Sequence, residues 1–377
     1  MRRCRTTYVI EKQVNIILVI GVFLMQQIMV VQPVTGAEAQ DSLKIVSWGG
    51  AYEAAQRRAL FEPYRQKSGK TVEVLVYKGS LAEMHKRAGK EDWDVVDMIE
   101  DQAIAACDEG LLQRLDHRKI VKHQPGRDIE DDFAPLRFTP CAIPQNVYAK
   151  VLAYDDNAFS GIKPSKVSDF FDLNRFPGKR AVEKSPDGLL EWALLAEGVP
   201  QRQIYDLLST DRGLWIAFRQ LEKIRDEIIW CEDPAKPAAL LESGKVAMAS
   251  GYNGRFFSAV QERKAPVVIL WDGQLIGYDV WAVPKGADTE AAHDFLRFAT
   301  QAERMADLAE LIPYGPARSS ALEQIGLHPD SAIPMREYLP NARLSSGRYL
   351  IRDAGWYANT RSLRTRRFRE WLEQKKE

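Results

Sequence analysis

The stretch "LKIVSWGGAYEAAQRRALFEPYRQKSG", residues 43–69, sets a pattern that much of the chain repeats. It begins with an apolar segment typical of a buried strand, breaks at two glycines, and continues with apolar residues at helical spacing. Gly69 is expected to cap that helix at its carboxyl end. Strand-like and helix-like segments then alternate through "TVEVLVY", "SLAEMHKRAGK", "WDVVDMI" and "QAIAACDEGLLQRLD". Such alternation predicts an α/β fold, in which helices cover parallel sheets.

Length and composition bound the class of protein. The chain has 377 residues, more than the roughly 250–300 at which one hydrophobic core stops growing, so two lobes are expected. Hydrophobic residues make up 45% of the chain, which is typical of a globular protein. The 52 basic and 52 acidic residues cancel, which argues against a nucleic-acid partner. No low-complexity linker is visible, so extended strands are expected to join the lobes.

The N-terminal segment has the order of a secretory signal peptide. Arg2, Arg3 and Arg5 precede an apolar run over residues 16–25, and small residues follow, with cleavage expected after position 37 or 39. The apolar run is shorter than the ~20 residues that a spanning helix needs, but a retained membrane anchor stays open as the alternative. We therefore predict a signal peptide over residues 1–39 and an exported, periplasmic protein.

Export permits disulfides, and three cysteines follow the signal segment. We predict a disulfide between Cys107 and Cys141, which leaves Cys231 as a buried free thiol. The cysteines form no C-x-x-C pair and the histidines are scattered, so neither a metal site nor a cofactor is predicted.

Motifs of common catalytic sites are missing from the sequence. "SGKT" at residues 68–71 resembles the end of a phosphate-binding loop, but it lacks the earlier glycine and lies between a helix and a strand, the reverse of the required order. The sequence contains no G-x-S-x-G, H-E-x-x-H or G-x-G-x-x-G motif after a suitable element. A hydrolase built on a pair of carboxylates stays open as an alternative.

Polar and aromatic residues lie where the predicted strands end, which is where open α/β sheets bind ligands. Asp279 is the sharpest of them, because a carboxylate inside the apolar run "LIGYDVWAV" is costly to bury without a partner. A structural role in the core is the alternative for each aromatic residue taken alone. The residues at strand ends are Trp48, Gly49, Glu100, Asp101, Tyr252, Arg255 and Asp279.

At this point the sequence resembles the periplasmic substrate-binding proteins of ABC transporters, of the spermidine/putrescine-binding type. The resemblance lies in the order and spacing of the opening stretch, "WDVVDMIEDQAIAACDEGLLQRLD", "VYAKVLAYD", "FFDLNRFPGKRAV", "SGKVAMASGYNGRFF" and "GYDVWAVPKGA". It implies a monomeric, non-enzymatic protein that delivers its ligand to a membrane permease.

The resemblance also implies a type II fold of two lobes, each a mixed sheet flanked by helices, which close on a ligand held between them. Lobe 1 is expected over residues 40–147 and 280–320, and lobe 2 over residues 148–279 and 321–377. The hinge is expected near residues 142–150 and 275–282.

Binding positions follow from the resemblance one at a time. Trp48 matches a family tryptophan after the first strand, Asp279 the acid that receives an amino group, and Tyr252 the aromatic residue before Asn-Gly. Arg255 stands where polyamine binders usually carry a small or acidic residue, and Gly277 stands where the spermidine type has a tryptophan. The predicted ligand contacts also include Tyr52, Tyr148 and Tyr314.

The chemistry of Arg255 and Asp279 indicates the class of ligand. An arginine presents a planar fork to a carboxylate, and an aspartate accepts an ammonium group. The pair therefore favours a linear ω-amino acid such as 4-aminobutyrate, or a related amino-acid derivative, over a diamine. Two alternatives stay open: an ion pair between Arg255 and Asp279 themselves, and a polyamine ligand.

Overall fold

The structure is a computed structural model that describes residues 42–77, 79–87, 90–133, 138–344 and 348–374. The predicted signal peptide over residues 1–39 lies outside the described residues. Within these ranges, none of the helices combines the length and the apolar character needed to cross a bilayer.

Ten strands in the described residues form one mixed sheet, with the order β2-β1-β3-β8-β4-β7-β5-β6, while β10 pairs with β8 and β9 with β4. The strands are β1 (Ser42–Ser47), β2 (Thr71–Val76), β3 (Val95–Ile99), β4 (Ala142–Asp155), β5 (Arg180–Glu183), β6 (Ile228–Cys231), β7 (Met248–Tyr252), β8 (Val267–Ala282), β9 (Gly315–Pro316) and β10 (Tyr349–Ile351).

Helices connect most of these strands. The α-helices are α1 (Gly50–Gln56), α2 (Glu62–Ser68), α3 (Leu81–Arg87), α4 (Glu100–Asp108), α5 (His117–Ile120), α6 (Ile129–Asp132), α7 (Leu189–Ala196), α8 (Ile204–Leu208), α9 (Asp211–Glu222), α10 (Lys236–Glu242), α11 (Asn253–Gln261), α12 (Thr289–Ala299), α13 (Ala302–Leu311), α14 (Ser319–Leu322) and α15 (Ala354–Glu373). A π-helical segment, Arg57–Phe61, joins α1 to α2. Gly69 follows α2 in a left-handed conformation with φ of 76°, as the sequence predicted for a C-cap.

Two long strands, β4 and β8, lie at the centre of the sheet. β3 pairs with the last residues of β8, and β7 pairs with the second half of β4, while β4 and β8 pair with each other along most of their lengths. The parallel group β2-β1-β3 thus lies on one side and the parallel group β7-β5-β6 on the other. The crossing strands that the sequence predicted are confirmed, and both predicted hinge segments fall inside them.

Buried apolar side chains form separate cores on the two sides of the crossing strands. One core gathers residues of β1, β3, α12 and α13, and a second gathers residues of α7, α9 and the end of α15. Residues 321–339 were expected in lobe 2, but Ala321, Ile325, Met335 and Leu339 pack in the first core. We therefore propose that these residues belong to lobe 1.

A disulfide joins Cys107, near the end of α4, to Cys141, directly before β4. It is the pair that the sequence predicted. Cys231, the last residue of β6, is a buried free thiol. The disulfide thus links the helix that follows β3 to the start of a crossing strand.

Candidate ligand-binding site

A buried carboxylate, Asp97 on β3, organises one wall of the site. It accepts hydrogen bonds from the Trp48 indole Nε1 at 3.0 Å, the Tyr52 hydroxyl at 2.7 Å and Gln56 Nε2 at 2.7 Å. The Tyr77 hydroxyl donates to the backbone carbonyl of Asp97 at 2.7 Å. Burial raises the pKa of the Asp97 carboxyl to about 6, while the donors favour its charged form.

The turn after β1 brings Trp48 and Tyr52 to this carboxylate. Gly49 and Gly50 adopt positive φ angles of 74° and 64°, which fold the chain from the strand directly into α1. The Trp48 indole also lies against Gly79, where an added Cβ would come within 2.1 Å of the ring. Glycine at these positions therefore permits the placement of the indole.

Asp279 lies on the same face of the sheet as Asp97. In the antiparallel pairs, Asp97 stands opposite Trp281, while Asp279 stands opposite both Ile99 and Asn146. Directly opposite residues share a face, and so do residues two apart on one strand. The central strands thus present two carboxylates and one amide on a single surface.

Asp279 is only 6% exposed, and it has no ion pair among the described residues. Burial raises the pKa of its carboxyl well above the ordinary value, and the negative charge of Asp97 raises it further. The Asn146 amide and the positive charge of Arg352 act in the opposite direction. In the absence of a cationic partner, a proton on Asp279 is therefore favoured by its surroundings.

Arg255 lies in the first turn of α11, directly after β7, and its side chain reaches solvent. It forms no hydrogen bond or ion pair within the described ranges of the chain, so the expected alternative of an Arg255–Asp279 ion pair is not formed. Burial raises the pKa of the neighbouring Tyr314, Asp279 raises it further, and the charge of Arg255 lowers it. Tyr314 is thus near both charged groups, and its ring lies 5.7 Å from that of Tyr52.

The structure explains the glycine at position 277. Tyr148 stands opposite Gly277 across the β4–β8 pair, and a Cβ on that glycine would lie 2.3 Å from the Tyr148 ring. The Tyr148 ring therefore occupies the space that a side chain at 277 would need. Tyr148 also contacts Tyr252, with ring centroids 5.5 Å apart.

Glu100 and Asp101 open α4 directly after β3. Burial raises the pKa of Glu100 to about 7, and the neighbouring charge of Asp101 contributes to the rise. Asp101 is paired with Arg352, whose Nη1 lies 2.6 Å from its Oδ1 and donates to the Tyr148 hydroxyl at 3.2 Å. Asp101 therefore has a cationic partner from within the protein, in contrast to Asp279.

The sequence analysis selected many of these residues, but it did not select four others that lie beside them. Asp97, Asn146 and Arg352 each form a hydrogen bond with a predicted residue, and Gln56 forms one with Asp97. Asp97 had a readable signal, because it interrupts the apolar run "WDVVDMI" as Asp279 interrupts its own run. Arg352 had none, since its contact with Asp101 spans 251 residues.

Within the described residues, no group of three or more His, Cys, Asp or Glu side chains is arranged to hold a metal ion. What the site offers instead is aromatic rings, two buried carboxylates and an exposed guanidinium, which suit an organic cation or zwitterion.

Comparisons with known proteins show the family to which the chain belongs. The profile of the bacterial extracellular solute-binding protein family matches residues 59–334. A gamma-aminobutyric acid-binding protein of Pseudomonas aeruginosa is 35% identical over 302 residues, covering 79% of this chain and 83% of the relative.

Two solved structures extend the similarity. A GABA receptor is 28% identical, with a TM-score of 0.74 and coverage of 89% of this chain and 99% of the other. The PBP MotA from A. tumefaciens B6, in complex with glucopine, is 26% identical, with a TM-score of 0.75 and coverage of 88% and 99%. The two structures match over most of each chain, and the family profile over residues 59–334 includes both crossing strands. The chain therefore belongs to the bacterial extracellular solute-binding protein family and has its two-lobe type II fold.

Proposed function

We propose that this protein captures a linear ω-amino acid such as 4-aminobutyrate, or a related amino-acid derivative, and delivers it to an ABC permease. The observation that carries the proposal is Asp279, a buried carboxylate without an ion pair in the described part of the chain. Such a group is costly to keep charged unless a cation reaches it. A ligand ammonium supplies that cation.

The other end of the ligand is assigned to Arg255. Its guanidinium is unpaired within the described residues and lies near Tyr314, which is also near Asp279. A planar guanidinium fork binds a carboxylate with two parallel hydrogen bonds. Aromatic rings of Trp48 and Tyr52 add a cation-attracting wall beside the carboxylates.

Relatives support this class of ligand. The curated relative is named for gamma-aminobutyric acid, and one solved neighbour is a GABA receptor. The sequence resemblance pointed more narrowly to the spermidine/putrescine type, but the guanidinium of Arg255 would repel a second ammonium group. We therefore favour the ω-amino acid and keep a polyamine as the alternative that the binding assay decides.

The proposal also includes the location of the protein, its oligomeric state and its lack of enzymatic activity. We infer that the protein is exported to the periplasm, acts there as a monomer and carries out no chemistry on its ligand. Membership of a solute-binding family supports this inference. A secreted hydrolase on the same fold would consume the ligand, so the ligand mass after incubation separates the two.

A calorimetric titration tests the ligand. The protein is unfolded and refolded to remove ligand carried through purification, then titrated with 4-aminobutyrate, 5-aminopentanoate, glutamate, putrescine and spermidine. We expect the ω-amino acids to bind most tightly and to be recovered unchanged by mass spectrometry. Tight binding of putrescine together with no response to ω-amino acids would overturn the proposal.

A further inference from the structure

Arg352 follows β10 in the C-terminal part of the chain, but its side chain contacts two of the predicted site residues, Asp101 and Tyr148. Its backbone N–H donates to the carbonyl of Ile276 at 2.8 Å, three residues before Asp279 on β8. Three residues of a strand span ~10 Å, so the two positions are close enough for one small ligand to reach both. The Arg352 side chain is only 9% exposed.

The surroundings of the Arg352 guanidinium are those of a cation site. Asp101 accepts from Nη1 at 2.6 Å, and Asp187 lies 3.9 Å from Nη2. The guanidinium lies 3.7 Å from the centroid of the Tyr357 ring, and the Tyr148 hydroxyl completes the shell. Two carboxylates and two aromatic residues are the groups that receive an organic ammonium ion.

Two places in the site are thus suited to a positive charge, one at Asp279 and one at Asp101, and they differ in whether the protein itself supplies the cation. Asp279 has no ion pair within the described residues, whereas Asp101 has the protein's own guanidinium. A diamine held by one amino group at Asp279 would need a second acidic place for the other, and Asp101 is one within reach. Its second amino group would meet Arg352 at the place where carboxylates and aromatic rings could otherwise receive it.

We propose that Arg352 is a specificity-determining residue, an internal cation that takes the place of a second ligand amino group and so limits the cleft to ligands with one. The inference rests on the proposed function, because it takes Asp279 as the site of the ligand ammonium. It adds a determinant to Arg255, on a different segment of the chain and on a different side of the site. The alternative is that Arg352 has only a structural role and anchors α15 to α4. The experiment must distinguish this role from an effect on ligand specificity.

The test is a gain of function in Arg352→Met, which removes the charge and keeps an unbranched apolar chain. One hydrogen bond to a charged group is worth about tenfold or more in affinity, so putrescine and spermidine should bind at least roughly tenfold tighter than to wild type. Arg352→Lys keeps the positive charge and should show no such gain. The double variant Asp101→Asn/Arg352→Met removes the receiving carboxylate as well, and the gain should be lost or strongly reduced.

Circular dichroism and thermal unfolding establish first that each variant is folded. If Arg352→Met does not fold, Arg352→Gln carries the same expectation, because it keeps a hydrogen-bond donor for Asp101 without the charge. A folded, neutral variant that gains no diamine affinity overturns the inference, and so does an equal gain in the double variant. Neither result depends on whether wild type binds 4-aminobutyrate, so the proposed function fails or stands separately.

Discussion

Replacing Asp279 by asparagine should weaken ligand binding and at the same time leave the empty protein as stable as wild type or more so. The substitution keeps the size of the side chain and removes its charge. The carboxylate is 6% exposed and has no ion pair within the described residues. A bound ammonium would therefore supply a contact of opposite charge that the empty site does not have.

The magnitude for binding follows from the burial of that contact. Removing one partner of a buried, hydrogen-bonded charge pair typically costs about 2–5 kcal/mol, which is roughly thirtyfold to several-thousandfold in affinity. Asp97 lies on the same face and can still attract an ammonium group. We therefore expect a loss on the order of a hundredfold for 4-aminobutyrate in the Asp279→Asn variant.

The effect on stability has the opposite sign. Burial and the charge of Asp97 raise the pKa of Asp279 in the folded protein above its value in the unfolded chain. A raised carboxyl pKa gives stability that is present below the unfolded pKa of about 3.9 and is lost as the pH rises through the folded pKa. At neutral pH the neutral asparagine avoids this loss.

Calorimetry of binding and urea unfolding of the ligand-free proteins measure the two effects separately. Asp307→Asn is the control, since burial also raises the pKa of that half-buried carboxyl, which lies on α13 and pairs with Arg304, outside the central strands. We expect the control to bind ligand as wild type does. If Asp279→Asn binds 4-aminobutyrate normally, or if it loses stability at neutral pH, the reasoning about an unpaired carboxylate is wrong.

Three further predictions concern the same cleft. Arg255→Ala should lower the affinity for 4-aminobutyrate by at least about tenfold and raise that for putrescine, and calorimetry with both ligands checks the two directions. Binding of an ammonium to Asp279 should release a proton, so the affinity should rise with pH up to the pKa of the empty site; titrations in buffers of different ionisation enthalpy measure the proton count. Asp97, Arg352 and Asn146 face that carboxylate and set its pKa. Gly277→Ala should destabilise the protein by about 1–3 kcal/mol, because its Cβ would overlap the ring opposite, and urea unfolding measures the change.

Part of the site could be predicted from sequence because each residue carries a local signal. Asp279 interrupts an apolar strand, and Trp48 follows one directly before two glycines. The structure adds a role that the sequence does not contain, since the Trp48 indole donates to Asp97. Such a contact depends on which strands are neighbours, and β1 and β3 are separated in the chain by one strand and three α-helices.

The fold was predictable to a similar degree. Alternating patterns identified the strands and the crossing segments, but the helix expected over residues 102–116 is confined to Glu100–Asp108. The chain leaves it through Gly110 with φ of 72°, and Leu112 then pairs with Pro284 from the strand region after β8. Apolar spacing continued past the true end because these residues are buried by tertiary contacts.

The two carboxylates of the central strands, Asp97 and Asp279, differ in the groups that stabilise their negative charge. We expect this difference to determine where a ligand ammonium binds. Asp97 receives hydrogen bonds from three side chains, which favour its ionised form against the burial that raises its pKa to about 6. Asp279 is left with an amide neighbour and a repulsive carboxylate, so its charged form is favoured only when a cation arrives. Arg352 already pairs with Asp101, whereas Asp279 has no cationic partner within the described residues. We therefore expect a ligand that brings one amino group to Asp279 and a carboxylate to Arg255 to gain free energy at both ends. A diamine would gain free energy at Asp279 and would be repelled at Arg255.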